Sequence, residues 1–172
     1  HQQNAREQLM VQRIEPQPGQ ESVWDYPRPP RVEQTPRRIR VVFNGVTIAD
    51  SQQTWRVLET SHPPVYYIPL EDVQQDYLSL TPRSTFCEWK GVAQYFDLTV
   101  GDRQVSNAVW RYPEPTERFT AIRDCVALYP SQMDACYVDD EQVQPQEGNF
   151  YAGWITHNII GPFKGGPDSW GW

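Results

Sequence analysis

The sequence predicts a mainly β fold: a compact, antiparallel two-sheet domain, an open sandwich or open barrel, with at most short helices. Three observations predict it. Asn44-Gly45 divides two β-rich runs in "RRIRVVFNGVTIADS", and that dipeptide tolerates the positive φ of a type I′ hairpin turn. The 16 prolines and 10 glycines punctuate the chain too often for long helices. Short β-rich runs then recur between turn signals, which is the pattern of sandwiches and barrels. The 172 residues fit one domain, large enough to bury most of its unfolded surface without staples. Hydrophobic residues are only 38%, but aromatics are 13% with seven Trp, so the core is expected to rest on a few large rings.

The elements follow in order. Residues 1–36 are rich in Gln, Pro, Arg and Glu and read as extended chain, with a flexible arm over 1–20 and a single β-domain over 21–172. Residues 4–14 have the makings of a short helix that "EPQPGQE" breaks, and ordered structure is expected to begin near Arg38. The hairpin around Asn44-Gly45 comes first, then strands in "TWRVLET" (54–60) and "VYYIP" (65–69). "LEDVQQDYLSL" (70–80) has apolar residues at helical spacing but is short, so it reads as a helical turn or loop. "TFCEWKG" and "QYFDLTVGDRQVSNAVWRYP" read as strands joined around Gly91 and at Gly101-Asp102. "TERFTAIRDCVALYP" (116–130) reads as one helical turn leading into a strand. "DACYVDDEQVQPQ" (134–146) predicts a second hairpin turning at Asp139-Asp140, and "FYAGWITHNIIGPFKGG" closes the domain. The hexad W-x-Y-P-x-P occurs at Trp24 and again at Trp110. That echo allows two related halves, 24–109 and 110–172; independent aromatic-proline segments are the plainer reading.

Charge and cysteines narrow the function classes. A net charge of −7 and a pI near 4.9 repel phosphate backbones, so no nucleic-acid partner is expected. No 18-residue apolar run and no signal-peptide pattern is present, so the reading is a soluble, cytoplasmic protein with no membrane partner. Cys87, Cys125 and Cys136 form no C-x-x-C, so neither a disulfide framework nor a cysteine zinc site is expected. No metal and no cofactor is expected, and the chain is read as a monomer or weak homodimer.

The chemistry-bearing residues cluster in two stretches. Read as one strand, "FCEWK" puts Glu88 and Lys90 on one face and Cys87 and Trp89 on the other. Only two of the 15 basic residues are lysines, Lys90 and Lys164, and both follow an aromatic and precede Gly. Arginine serves a surface ion pair equally well, whereas lysine can lose its proton when desolvated. A solvated amine that guards a strand edge is the bland alternative. In "ETSHPPVYY", His62 follows Glu59 by three residues and precedes a rigid Pro pair that fixes its backbone. A histidine bonded to backbone at a strand start is the plainer reading there. Asp139, Asp140 and Glu141 read as a solvated turn, and His157 as structural or exposed. G-x-S-x-G, phosphate-loop and G-x-G-x-x-G signatures are absent.

Several segments together carry a resemblance: "HPPVYYIP", "FCEWKGVAQYFDL", "WRYPEP", "FYAGWIT" and "GPFKGGP". Over roughly residues 20–172 the chain resembles the bacterial domain-of-unknown-function family number 427, which also carries a nucleotidyltransferase-like label. The resemblance implies a compact antiparallel β-domain of tent-like, two-sheet form. It implies no settled activity. Nucleotidyl transfer needs carboxylates around Mg²⁺ and a triphosphate cradle, and the residues do not supply that pattern.

The leading expectation is therefore a small-molecule pocket for a planar or cationic ligand. Its walls would be Tyr66, Trp89, Tyr95, Trp110 and Trp154, with Glu59, His62, Glu88 and Lys90 as polar contacts. One alternative is an enzyme using Lys90, Glu88 and His62 in acid-base or nucleophilic chemistry. Another is a protein-interaction module using tryptophans of the "PDSWGW" tail.

Overall fold

The computed structural model describes residues 12–166, 169, 171 and 172. The short helix expected over 4–14 lies mostly outside them. Among the described residues fifteen strands form, in order: β1 (Glu21–Ser22), β2 (Arg31–Gln34), β3 (Ile39–Phe43), β4 (Val46–Ser51) and β5 (Trp55–Leu58). Next come β6 (Val65–Pro69), β7 (Leu78–Cys87), β8 (Gly91–Val100), β9 (Arg103–Arg111) and β10 (Cys125–Leu128). Last are β11 (Ala135–Val138), β12 (Glu141–Gln142), β13 (Gln144–Pro145), β14 (Trp154–Ile155) and β15 (Ile159–Ile160). The helical content is short 3₁₀ turns, and no helix among the described residues is long and apolar enough to cross a membrane.

The main sheet has seven antiparallel strands in the order β2-β5-β6-β10-β9-β8-β7. A second sheet, β12-β11-β3-β4, is built on the Asn44-Gly45 hairpin, where φ is 47° and 76°. Both residues are therefore left-handed, which is what a type I′ turn demands. The fold is thus the mainly β, antiparallel two-sheet architecture the turns and strand lengths predicted.

Strand alternation divides the core into two layers. Tyr66 and Ile68 on β6, with Val126 and Leu128 on β10, face the small sheet and pack on Ile39, Val41, Phe43, Ile48, Cys136 and Val138. Their neighbours Tyr67, Cys125 and Ala127 face the other way and meet Tyr95, Trp110, Tyr112 and Phe119. The 3₁₀ segment Glu117–Ile122 helps cover this second face by burying Phe119 and Ile122. At β10 the main sheet is covered on both faces, so that strand is apolar and buried throughout.

Regular structure begins earlier than the composition of 1–36 suggests. β1 pairs in parallel with β15, and Val23, Trp24 and Tyr26 are buried against Leu58 and Ile159. The Trp24 indole donates to the Pro162 carbonyl at 2.9 Å. Arg56 then holds Glu21 at 3.0 Å and also binds Glu33, tying β1 and β2 to β5. Three large side chains outweigh the polar composition around them, because folding sums burial rather than averaging it. The two W-x-Y-P-x-P copies bury their Trp and Tyr in different backbones: Trp24 in a 3₁₀ turn, Trp110 in β9.

The stretch "EWK" also departs from expectation. β7 ends at Cys87, which pairs with Gly91 across a three-residue loop of Glu88, Trp89 and Lys90. Gly91 sits at φ 106°, and a Cβ there would lie 3.3 Å from the Glu114 carbonyl oxygen. The glycine ends a hairpin loop rather than bending a continuous strand. Glu88 and Lys90 consequently do not share a strand face.

Candidate functional site

On the second face of the main sheet lies a cavity of about 220 Å³. Its floor is the sheet itself: Val57 on β5, Val65 and Tyr67 on β6, Tyr95 on β8 and Trp110 on β9. Tyr112 and Tyr129, just past β9 and β10, add two more rings. Trp110 and Tyr129 lie 4.7 Å apart between ring centroids, and Trp110 and Tyr95 lie 6.3 Å apart. The Trp110 indole N–H reaches the Tyr67 hydroxyl at 3.4 Å. Residues 146–152 form the opposite wall with Gln146, Phe150, Tyr151 and Ala152.

Two short pieces of chain deliver the polar groups. The first is the Glu59–His62 turn, closed by a 3.0 Å bond from the His62 amide to the Glu59 carbonyl. Ser61 in that turn is fully buried at φ 73°, a left-handed conformation unfavourable for a residue with a Cβ. Two main-chain bonds of its own and one side-chain bond from the preceding residue hold it there. Its amide donates to the Val23 carbonyl at 3.1 Å, its carbonyl accepts from the Lys164 amide at 2.8 Å, and Thr60 bonds the Tyr26 carbonyl. The turn aims both side chains into the cavity, with His62 Nε2 3.6 Å from Glu59 Oε2. The second piece is the hairpin loop before Gly91, which brings in Lys90.

The imidazole is in a defined state. Gln146 Oε1 accepts from the Gly153 amide at 3.1 Å, so its amide nitrogen must be the atom beside His62 Nδ1, at 3.2 Å. That nitrogen donates to the Lys164 carbonyl at 2.7 Å as well. His62 Nδ1 is therefore an acceptor, and the ring proton sits on Nε2, facing Glu59. Burial pushes the imidazole down to about 4; Glu59 opposes this, while Lys164, Arg28 and Lys90 reinforce it. His62 is neutral at pH 7.

Lys90 is the opposite case. Burial disfavours its charge, yet the Tyr67 hydroxyl, the Cys87 thiol and the Glu59 carboxylate together hold the amine above its ordinary value. It stays an ammonium, set over the Tyr112 and Phe119 rings at 5.7 and 5.9 Å. Burial raises the Tyr67 and Tyr112 phenols, so both remain protonated donors.

Of the residues singled out in the sequence, Glu59, His62, Lys90, Tyr95 and Trp110 line this one cavity. The other four do not. Glu88 is exposed, and with Trp89 it borders a separate groove beside Pro29 and Glu117, because the loop turns both away from Lys90. Tyr66 and Trp154 belong to the layer between the sheets, with ring centroids 4.7 Å apart. Strand alternation gives the cavity Tyr67 in place of its neighbour Tyr66. Lys164 lies outside the cavity lining; its amine donates to the Trp172 carbonyl at 2.7 Å.

The contributions of Tyr112, Tyr129, Gln146, Tyr151 and Ala152 were missed. Tyr112 follows Trp110 by two residues and so shares its strand face, a readable signal. Gln146 carries no local signal, since it meets His62 across 84 positions. The tail expectation rests partly on Trp170, outside the described residues; Trp172 packs edge-on against Trp24 at 5.2 Å. Among the described residues no three or more His, Cys, Asp or Glu side chains are grouped to hold a metal ion, and all three cysteines are free.

Fold and cavity together define an antiparallel two-sheet β-domain with a ring-walled hollow on the outer face of its larger sheet. Residues 31–139 match the sequence model of NTP_transf_9, described as "Domain of unknown function (DUF427)", and the chain belongs to that family. No curated protein matches the chain.

Proposed function

We propose that the hollow binds one small planar molecule. The observation that carries this reading is the convergence of five rings, Tyr67, Tyr95, Trp110, Tyr112 and Tyr129, on a single cavity of about 220 Å³. Small-molecule sites are concave and mostly apolar, with a few placed polar groups; drug-sized ones run from about 300 Å³ upward. This hollow is smaller and suits a molecule of one or two fused rings. Walls of this kind also attract cations, but the Lys90 ammonium opposes a simple cation. The same charge supports binding over covalent chemistry, because an amine nucleophile must first lose its proton.

A thermal-shift screen of one- and two-ring compounds tests the reading. Hits should raise Tm by several degrees at ligand concentrations about 100-fold above Kd. Ala152→Leu, which fills the hollow, should abolish those shifts while circular dichroism remains native. Val65→Phe fills it from the sheet side and serves if the first variant fails to fold. Hits that survive filling, or a screen without hits, would overturn the proposal.

A further inference from the structure

We infer that the ligand carries a hydrogen-bond donor and a hydrogen-bond acceptor side by side on its ring, as in a lactam. This rests on the planar-ligand reading above and goes on to specify the chemistry of the ring edge.

The argument starts from two opposite charges that share a cavity without joining. Glu59 and Lys90 both line the hollow, and the carboxylate is close enough to favour the charged amine. Yet Glu59 is engaged elsewhere: its carboxylate pairs with Arg28 Nε at 3.4 Å and faces the neutral His62 ring at 3.6 Å. Among the described residues Lys90 has no carboxylate partner; its ammonium rests over rings. A carboxylate and an ammonium in a half-buried space normally close on each other, since each gains by the contact. Here they do not: the carboxylate pairs with Arg28, and the ammonium lies over the Tyr112 and Phe119 rings.

The gap has a defined polarity. Glu59 is an acceptor, with Arg28 occupying one side of its carboxylate. Lys90 offers three donors and no acceptor. His62 is locked as an Nε2–H donor by Gln146 and already faces Glu59. A planar molecule that fills the gap has to give a proton to Glu59 and accept one from Lys90. The N–H and C=O of a lactam provide both, in plane, with no net charge. An aromatic acid satisfies Lys90 but sets its carboxylate against Glu59. An aromatic ammonium satisfies Glu59 but meets Lys90. Each one-sided ligand leaves a partly buried charge unmatched, which costs affinity steeply.

Calorimetric titration of four probes tests this: quinolin-2-one, its N-methyl derivative, 2-naphthoate and 2-naphthylmethylammonium. Quinolin-2-one should bind wild-type protein at least tenfold more tightly than the other three. Lys90→Met should shift the preference toward 2-naphthylmethylammonium, and Glu59→Gln toward 2-naphthoate, with Tm confirming that both variants fold. Loss of only the N-methyl discrimination in Glu59→Gln supports the inference equally. Binding of quinolin-2-one and its N-methyl derivative within twofold overturns it, as does a wild-type preference for the acid or the amine. Those outcomes leave a planar-ligand pocket standing, whereas failure of all four probes removes the pocket reading as well.

Discussion

His62 is a largely covered imidazole that folding keeps uncharged. In the unfolded chain its pKa is near the ordinary 6.5, and in the fold it falls to about 4. Between those values the unfolded state binds the proton and the native state does not, so stability falls as pH drops. The contribution is complete above about pH 6.5 and lost by about pH 4, and it amounts to roughly 3 kcal/mol at most. The groups facing the ring are Glu59, Arg28, Lys90, Lys164, Gln146 and Tyr151. Urea unfolding at pH 7 and pH 4.5 should show wild type losing about 2–3 kcal/mol more than His62→Gln. Equal losses would assign the acid sensitivity to other groups. At this scale the sequence was informative where a residue was rare or rigidly framed. Lys90 stood out among arginines, and His62 before its two prolines. It was silent about which of Tyr66 and Tyr67 faces the cavity, because alternation separates neighbours without saying which layer each enters.

Among the elements, the strand boundaries in hairpins were the most legible, since Asn44-Gly45 and Gly101-Asp102 state their turns locally. The loop at Glu88–Lys90 was not, because Trp89 looks like a strand residue and only Gly91 hints at the reversal. The segment 146–153 was the least legible, as its partners lie in distant parts of the chain. Its decisive residue is Gly153. A Cβ there would fall 2.5 Å from Gln146 Oε1 and 2.8 Å from Pro63 Cγ, so at least one of them must shift. Gly153→Ala should destabilise the fold by about 1–3 kcal/mol through overpacking. It should also push Gln146 off His62, and NMR titration should then find the imidazole pKa moved away from its native value. An unchanged titration would mean that Gln146 does not orient the ring.

At the level of the whole molecule, the family match and the cavity do not coincide. The match covers residues 31–139, yet Gln146, Phe150, Tyr151 and Ala152 line the hollow from beyond it. Val23, Trp24 and Tyr26 precede it, and Trp154, wholly buried, follows it. Deleting one buried Trp side chain costs about 3–5 kcal/mol, against a total stability of about 5–15 kcal/mol for a typical domain. A chain cut to 31–139 should therefore show no cooperative thermal transition, whereas 12–172 should. A sharp melt of the shorter chain would show that the flanks decorate the domain rather than complete it. The fold class was readable from the whole sequence because turn chemistry is local and repeated. The closure by residues 21–26 and 146–160 was not, because it depends on pairings such as β1 with β15 that span the chain.

Strand β10 is the seam between two meanders, β2-β5-β6 on one side and β7-β8-β9 on the other. Tyr67 and Trp110 stand on the strands that flank it, so parting the seam would dismantle the base of the hollow. A guest of the proposed kind would enter past the rim at Phe150, which is 85% exposed, while the base keeps still. Amide hydrogens of Val126 and Ala127 should outlast nearly all others in deuterium exchange, and a guest could come and go many times before either is replaced.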